Sequence, residues 1–74
     1  MSDRKVIWKG KRGEHKSILF IEDGATCEEV TFFEGNTGIF SLSSFLDDWK
    51  RGRYTGPPLP EEVKVEMAIR ELKR

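Results

Sequence analysis

The chain has 74 residues, 13 basic and 13 acidic side chains, one cysteine and one histidine. That length allows one domain near the lower limit for unaided folding, a lone cysteine allows no internal disulfide, and one cysteine with one histidine assembles no Cys/His zinc set. Zero net charge argues against a protein that coats nucleic acid through a bulk basic excess, and no apolar run approaches the roughly 20 residues of a membrane span.

Four short apolar segments occupy the first 42 residues. Val6-Ile7-Trp8 lies within Lys5 to Lys9, Ser17-Ile18-Leu19-Phe20-Ile21 within Lys16 to Glu22, Val30-Thr31-Phe32-Phe33 within Glu28 to Glu34, and Ile39-Phe40 within Thr37 to Leu42. All are rich in β-branched and aromatic residues, and they are separated by Gly10-Lys11-Arg12-Gly13, Asp23-Gly24 and Gly35-Asn36. Segments this closely spaced pair as hairpins, because a parallel crossover needs a dozen or more residues. The prediction is an antiparallel four-stranded meander within residues 5–42.

The period then changes. Leu42, Phe45, Leu46 and Trp49 fall at i, i+3, i+4 and i+7, so a helix is predicted over about residues 43–51. Ser41, Ser43 or Ser44 caps it, Asp47 and Asp48 are assigned to its positive end, and Gly52 stops it. Gly56-Pro57-Pro58-Leu59-Pro60 is a stiff connector, with Pro60 at the first position of a second helix over about residues 60–73. Val65, Ala68, Ile69 and Leu72 mark its apolar stripe, and Lys73 and Arg74 complement its negative end. The fold class is therefore α+β: a single domain spanning 1–74, its sheet covered on one face by two C-terminal helices.

The second segment carries apolar residues on both faces, Ile18 and Phe20 on one and Leu19 and Ile21 on the other. Either the sheet presents an open apolar face, of the kind that marks an interface, or it curls to bury both sets. Charge is also uneven. Residues 4–16 hold Arg4, Lys5, Lys9, Lys11, Arg12 and Lys16 against Glu14, whereas residues 17–34 hold Glu22, Asp23, Glu28, Glu29 and Glu34 with no basic residue. This pattern fits cross-strand charge pairs or a dipolar binding face.

No catalytic set emerges. His15 and Cys27 have no orienting third group, adjacent Asp47 and Asp48 diverge by about 100° on a helix, and Gly10 to Gly13 lacks the strand-loop-helix context of a phosphate loop. His15 is assigned to the surface of the basic hairpin and Cys27 to the start of a strand. The reading is a non-enzymatic protein without metal or cofactor. The first residues lack the apolar stretch of a signal peptide, so a reducing cytoplasm is the expected location.

In this order of elements, Ser17-Ile18-Leu19-Phe20-Ile21-Glu22-Asp23-Gly24 resembles the second strand and turn of small phage anti-CRISPR proteins that inhibit the type I-F CRISPR surveillance complex. Phe40, Leu46, Asp47, Trp49 and Gly52 are similar to the pattern of that family's first helix. Val65 to Arg74 is similar to its closing helix, with Glu66, Ala68, Glu71 and Arg74 appearing identical. The likeness runs collinearly over about two thirds of the chain. It implies a four-stranded antiparallel sheet on two helices, and docking on the backbone subunits that hold the guide RNA. Blocking access to the guide disables every target at once, because base pairing reads the sequence. The chain departs from the family at Ile21, where a contact tyrosine stands, in a longer connector over residues 53–60, and in the third strand.

The partner-binding residues predicted on the open sheet face are Trp8, Lys16, Leu19, Ile21, Glu22 and Glu28, with Trp8 and Ile21 as anchors and the charges setting orientation. Phe45, Leu46, Trp49, Ile69 and Leu72 are assigned to the core. The expected partners are bacterial Cas backbone subunits of a type I surveillance complex, bound by a monomer or weak dimer without membrane or direct nucleic-acid contact. Two alternatives stand beside this. One is a nucleic-acid-binding β domain using Lys9, Lys11, Arg12, His15 and Lys16, with Trp8 as a stacking platform; the other is a homodimeric structural module.

Overall fold

The computed structural model describes residues 3–73. Met1, Ser2 and Arg74 lie outside the described residues, and with them the assignment of Arg74 to the end of the second helix. The elements are β1 (Lys5–Arg12), β2 (His15–Glu22), β3 (Ala25–Thr31), a short turn Phe33–Gly35, β4 (Thr37–Ser41), α1 (Leu42–Lys50), β5 (Tyr54–Thr55) and α2 (Glu61–Leu72). The α+β class and the antiparallel meander stand as expected. The four-strand count does not, because the sheet has five strands in the order β4-β3-β2-β1-β5. The added strand pairs Tyr54 with Arg12 and Thr55 with Lys11. It lies at the start of the stretch read as a plain connector. Two residues are too few to show a strand period, and pairing with β1 places Tyr54 in the core.

The first break in the sequence is tighter than its two glycines suggest. β1 runs through Gly10 to Arg12, which pairs with His15, so only Gly13 and Glu14 form the loop. Gly10 serves a different purpose: a Cβ there would lie 2.2 Å from the Trp8 ring and 2.7 Å from the Thr55 carbonyl oxygen. The indole lies across the glycine while β5 approaches from the edge. A Gly10→Ala variant is therefore expected to lose about 1 to 3 kcal/mol, read as a lower urea midpoint at unchanged slope. The second hairpin turns on Asp23 and Gly24, both at positive φ (52° and 77°), the backbone of a two-residue loop that follows strand twist.

β1 carries a bulge between Val6 and Trp8: Val6 pairs with Phe20, and Trp8 pairs with Leu19. Two residues of one strand thus span one step of the other, and Val6 and Trp8 project from opposite faces although they are two apart. The face bearing Trp8 and Leu19 receives the helices. Its core comprises Trp8, Leu19, Phe45, Leu46, Tyr54, Leu59 and Val63, with Ile7, Leu42, Trp49 and Met67 packed around it. The Trp8 ring meets Phe45, Trp49 and Tyr54 edge-on at centroid distances of 5.5, 5.8 and 6.1 Å. Its indole N–H donates to the Pro57 carbonyl at 2.9 Å, so the buried polar atom is satisfied by the connector that crosses it.

The sheet is strongly curled. Tyr54 on β5 and Glu28 on β3 are three strand spacings apart, about 14 Å on a flat sheet, yet the phenol hydroxyl donates to Glu28 Oε2 at 2.7 Å.

α1 begins where the serines indicated, with Ser41 Oγ accepting from the Ser44 N–H at 3.2 Å, and ends at Arg51 followed by Gly52. Asp47 and Asp48, however, fall in its second half, so they do not serve its positive end. Pro60 is the residue before α2 and caps it through its carbonyl, which accepts from Val63 and Lys64 at 3.0 Å. The predicted stripe of α2 is also corrected. Val65, Ile69 and Leu72 are exposed, while Val63 is buried and Met67 packs beside it. Leu59, buried just before the helix, aims the first turn so that Val63 follows it inward and Val65 rotates about 200° away. Ion pairs Lys50–Glu71 and Arg70–Asp47 tie the two helices at the surface, where such pairs contribute about 0 to 1 kcal/mol each.

Candidate functional site

The second sheet face, opposite the core, is built of three cross-strand rows. They are Val6-Phe20-Cys27-Ser41, Lys9-Ile18-Glu29-Ile39 and Lys11-Lys16-Thr31-Thr37. Alternation places these side chains together, because their neighbours Trp8, Leu19 and Glu28 point into the core. Val6 and Ile39 are exposed large apolar groups, and Lys9, Lys11 and Lys16 are exposed at one corner. Ile18 and Cys27 are half-buried between them.

Arg4 covers the opposite corner. Its guanidinium lies 3.9 Å from the centroid of the Phe20 ring and pairs with Glu29 at 3.0 Å and Glu22 at 4.0 Å. The contact explains why Phe20 is buried although it belongs to this face. A cation over an aromatic face contributes about 0.5 to 2 kcal/mol, depending on exposure. The result is a surface with an apolar centre, a basic corner at the β1–β2 hairpin and a corner where acids are already neutralised.

Four of the six residues predicted for an open face lie instead on the helix-covered side. Trp8 is 4% exposed, Leu19 0% and Glu28 1%. Ile21 shares the side of Leu19 by alternation and is half-buried. Lys16 and Glu22 do belong to the uncovered side, Lys16 exposed and Glu22 beside Arg4. The alternation in β2 was read correctly, but its two sets were assigned to the wrong sides. The bulge in β1 decides the matter by sending Trp8 to the side of Leu19, and a bulge leaves no period of its own in sequence. The uncovered face also carries Val6, Ile18 and Ile39, which sequence reading assigns to no contact set, and Lys9 and Lys11, which it places in the basic hairpin; the register of Phe20, Ile18 and Lys16 with their partner strands brings them together.

Glu28 forms a buried polar cluster. Its Oε2 accepts from Ser17 Oγ at 2.6 Å and from the Tyr54 hydroxyl at 2.7 Å. Burial, followed by the hydrogen bond to Glu28 and the negative charge there, holds the Tyr54 phenol well above its ordinary titration range. All three groups are enclosed by the core, so the cluster fixes β2, β3 and β5 to one another.

His15 and Cys27 are on different faces and separated along the strands. His15 opens β2 and packs its ring against Phe32 and Phe33 at centroid distances of 5.1 and 4.8 Å, making it half-buried where a surface position was expected. Cys27 lies within β3 opposite Phe20 and does not mark the strand's start. No group of three metal-ligating side chains occurs among the described residues, and none of their helices is long and apolar enough to cross a membrane.

Compared with protein-family models, curated proteins and solved structures, the chain shows no match.

Proposed function

We propose that this chain is a binding module that docks on a protein partner through the uncovered sheet face. The observation that carries this reading is the composition of that face. Exposed Val6 on β1 and Ile39 on β4 flank half-buried Ile18 and Cys27, next to three exposed lysines. An apolar centre with a charged margin is the usual make-up of a protein interface, in which a few desolvated groups supply most of the affinity and rim charges set approach and orientation. The contact set is therefore revised to Val6, Lys9, Lys11, Lys16, Ile18 and Ile39. Glu22 lies at the margin with Arg4 and Glu29.

The partner we propose is the set of backbone subunits of a type I CRISPR surveillance complex, with inhibition of target-DNA binding as the outcome. The support for this partner is the sequence resemblance to phage anti-CRISPR inhibitors of type I-F. The antiparallel meander and the two helices agree with what that resemblance implies, whereas the fifth strand, between the helices, departs from it. An inhibitor of this kind needs a complementary surface and no reactive group, and it acts in the bacterial cytoplasm. The test is to mix the purified chain with a purified type I-F complex and read target-DNA binding in parallel. Stable association with loss of DNA binding is expected, and reversing Lys9, Lys11 and Lys16 to Glu is expected to slow association about tenfold or more without unfolding the domain. No association by a folded chain would remove the type I-F assignment.

A further inference from the structure

At the end of the β1–β2 hairpin, three arginines converge on one carboxylate. Asp48 accepts a hydrogen bond from Arg12 Nη2 at 2.7 Å, while Arg51 Nη1 and Arg53 Nε lie 3.6 and 3.9 Å away, beyond hydrogen-bond length. The Arg51 and Arg53 side chains are 66% and 55% exposed. One negative charge among three positive ones leaves a local excess of two, although the chain as a whole is neutral. The negative end of α1 and Asp48 account for holding the three groups together, but a single carboxylate cannot occupy three guanidinium forks.

Two of these arginines, Arg12 and Arg53, border an open recess of about 610 Å³, lined also by Gly13, His15, Gly52 and Thr55. His15 connects this recess to an aromatic surface, since its ring packs against Phe33, which is 68% exposed. A large ring left this open beside a cationic recess has no packing role in the core. Glu14 in the hairpin turn and Glu34 next to Phe33 are exposed acids at the margin, so the positive field is local rather than extended.

We propose that this end of the molecule is a nucleotide site, in which Arg53, Arg51 and Arg12 hold a phosphate group over the recess and Phe33 stacks the base. Guanidinium forks match phosphate oxygens in pairs, and an exposed aromatic ring accepts any base because every base has a π-face. The site is separate from the sheet face proposed for protein docking, and it stands or falls independently of that function. It also moves the nucleic-acid reading away from Trp8, which is buried and cannot stack on a ligand.

The test uses the full chain and a fluorescein-labelled single-stranded ten-nucleotide oligomer, followed by anisotropy at several salt concentrations. Binding is expected at low salt, weakening steeply between roughly 50 and 200 mM. Phe33→Ala is expected to weaken it about tenfold with the salt dependence unchanged, a signature that a purely electrostatic patch does not give. Arg51→Ala with Arg53→Ala is expected to weaken it at least as much and to reduce the salt slope by about 1.4, at roughly 0.7 per charge on a single strand. Both variants alter exposed side chains, and circular dichroism verifies that they fold. Displacement by millimolar adenosine monophosphate identifies a free nucleotide as sufficient; failure to displace a bound oligomer identifies the strand as the ligand. The proposal is overturned if the folded chain binds neither probe, or if binding survives both variants and is lost only when Lys9, Lys11 and Lys16 are changed.

Discussion

Truncating Trp8 to alanine is expected to destabilise the whole domain severely rather than to reveal a contact residue. The indole is 4% exposed, packs edge-on against Phe45, Trp49 and Tyr54, spans Gly10 and donates to Pro57. Removing it costs about 3 to 5 kcal/mol. A 74-residue domain has about 4 to 11 kcal/mol of stability, on the order of 0.05 to 0.15 per residue. The loss is thus a large share of the total, and it also frees the connector and the β5 edge. Thermal denaturation followed by circular dichroism measures this. A Trp8→Ala chain that melts within a few degrees of the parent would mean that the indole does not organise the core.

The second large effect concerns the Glu28 cluster. Glu28→Ala leaves the hydroxyls of Ser17 and Tyr54 without their shared acceptor inside the core. Orphaned buried donors cost about 1 to 3 kcal/mol each, so a loss of about 2 to 6 kcal/mol is expected. Tyr54→Phe should cost far less, about 1 kcal/mol, because Glu28 keeps its bond from Ser17. The same variant separates a pH effect. The Tyr54 phenol titrates above its ordinary value of 10.0 in the folded chain, raised first by burial and then by Glu28. Folding therefore favours the protonated phenol. Its contribution is fully present below the unfolded value and is lost as pH rises above about 10. Urea midpoints of the parent should fall more steeply than those of Tyr54→Phe between about pH 9 and pH 11. Parallel curves for the two proteins would contradict the assignment.

Much of this fold was legible in the sequence where one period dominated a whole segment. β2 shows alternation over Ile18 to Ile21, and α1 shows the spacing of Leu42, Phe45, Leu46 and Trp49 between a serine cap and Gly52. Both formed as expected. Legibility failed where two readings were locally equivalent. α2 carries two apolar stripes, Val63 with Met67 and Val65 with Ile69 and Leu72, and periodicity alone does not rank them; the burial of Leu59 does. β5 is two residues long and exists because its partner strand is already in place. The uncovered face depends on the Val6/Trp8 bulge, so correct alternation still places Trp8, Leu19 and Ile21 on the opposite side of the sheet from the one expected. Asp48 reads as a helix-dipole residue in sequence, whereas its closest partner, Arg12, comes from the far end of the β1–β2 hairpin and joins the local Arg51 and Arg53 only in the fold.

The exposed stripe of α2 provides the natural control for the docking proposal. Ile39 on the sheet face and Val65 on α2 are similarly exposed, at 56% and 49%, and neither belongs to the core cluster. An aspartate at either position leaves the fold intact while placing a charge in any interface that covers it. The most direct measurement is the affinity of the parent chain, Ile39→Asp and Val65→Asp for a purified type I-F surveillance complex. Docking through the sheet face predicts that the parent and Val65→Asp bind alike while Ile39→Asp loses about tenfold or more, as expected when an unpaired charge is buried in an interface. Full binding by Ile39→Asp, with loss confined to Val65→Asp, would place the interface on the helix and contradict it.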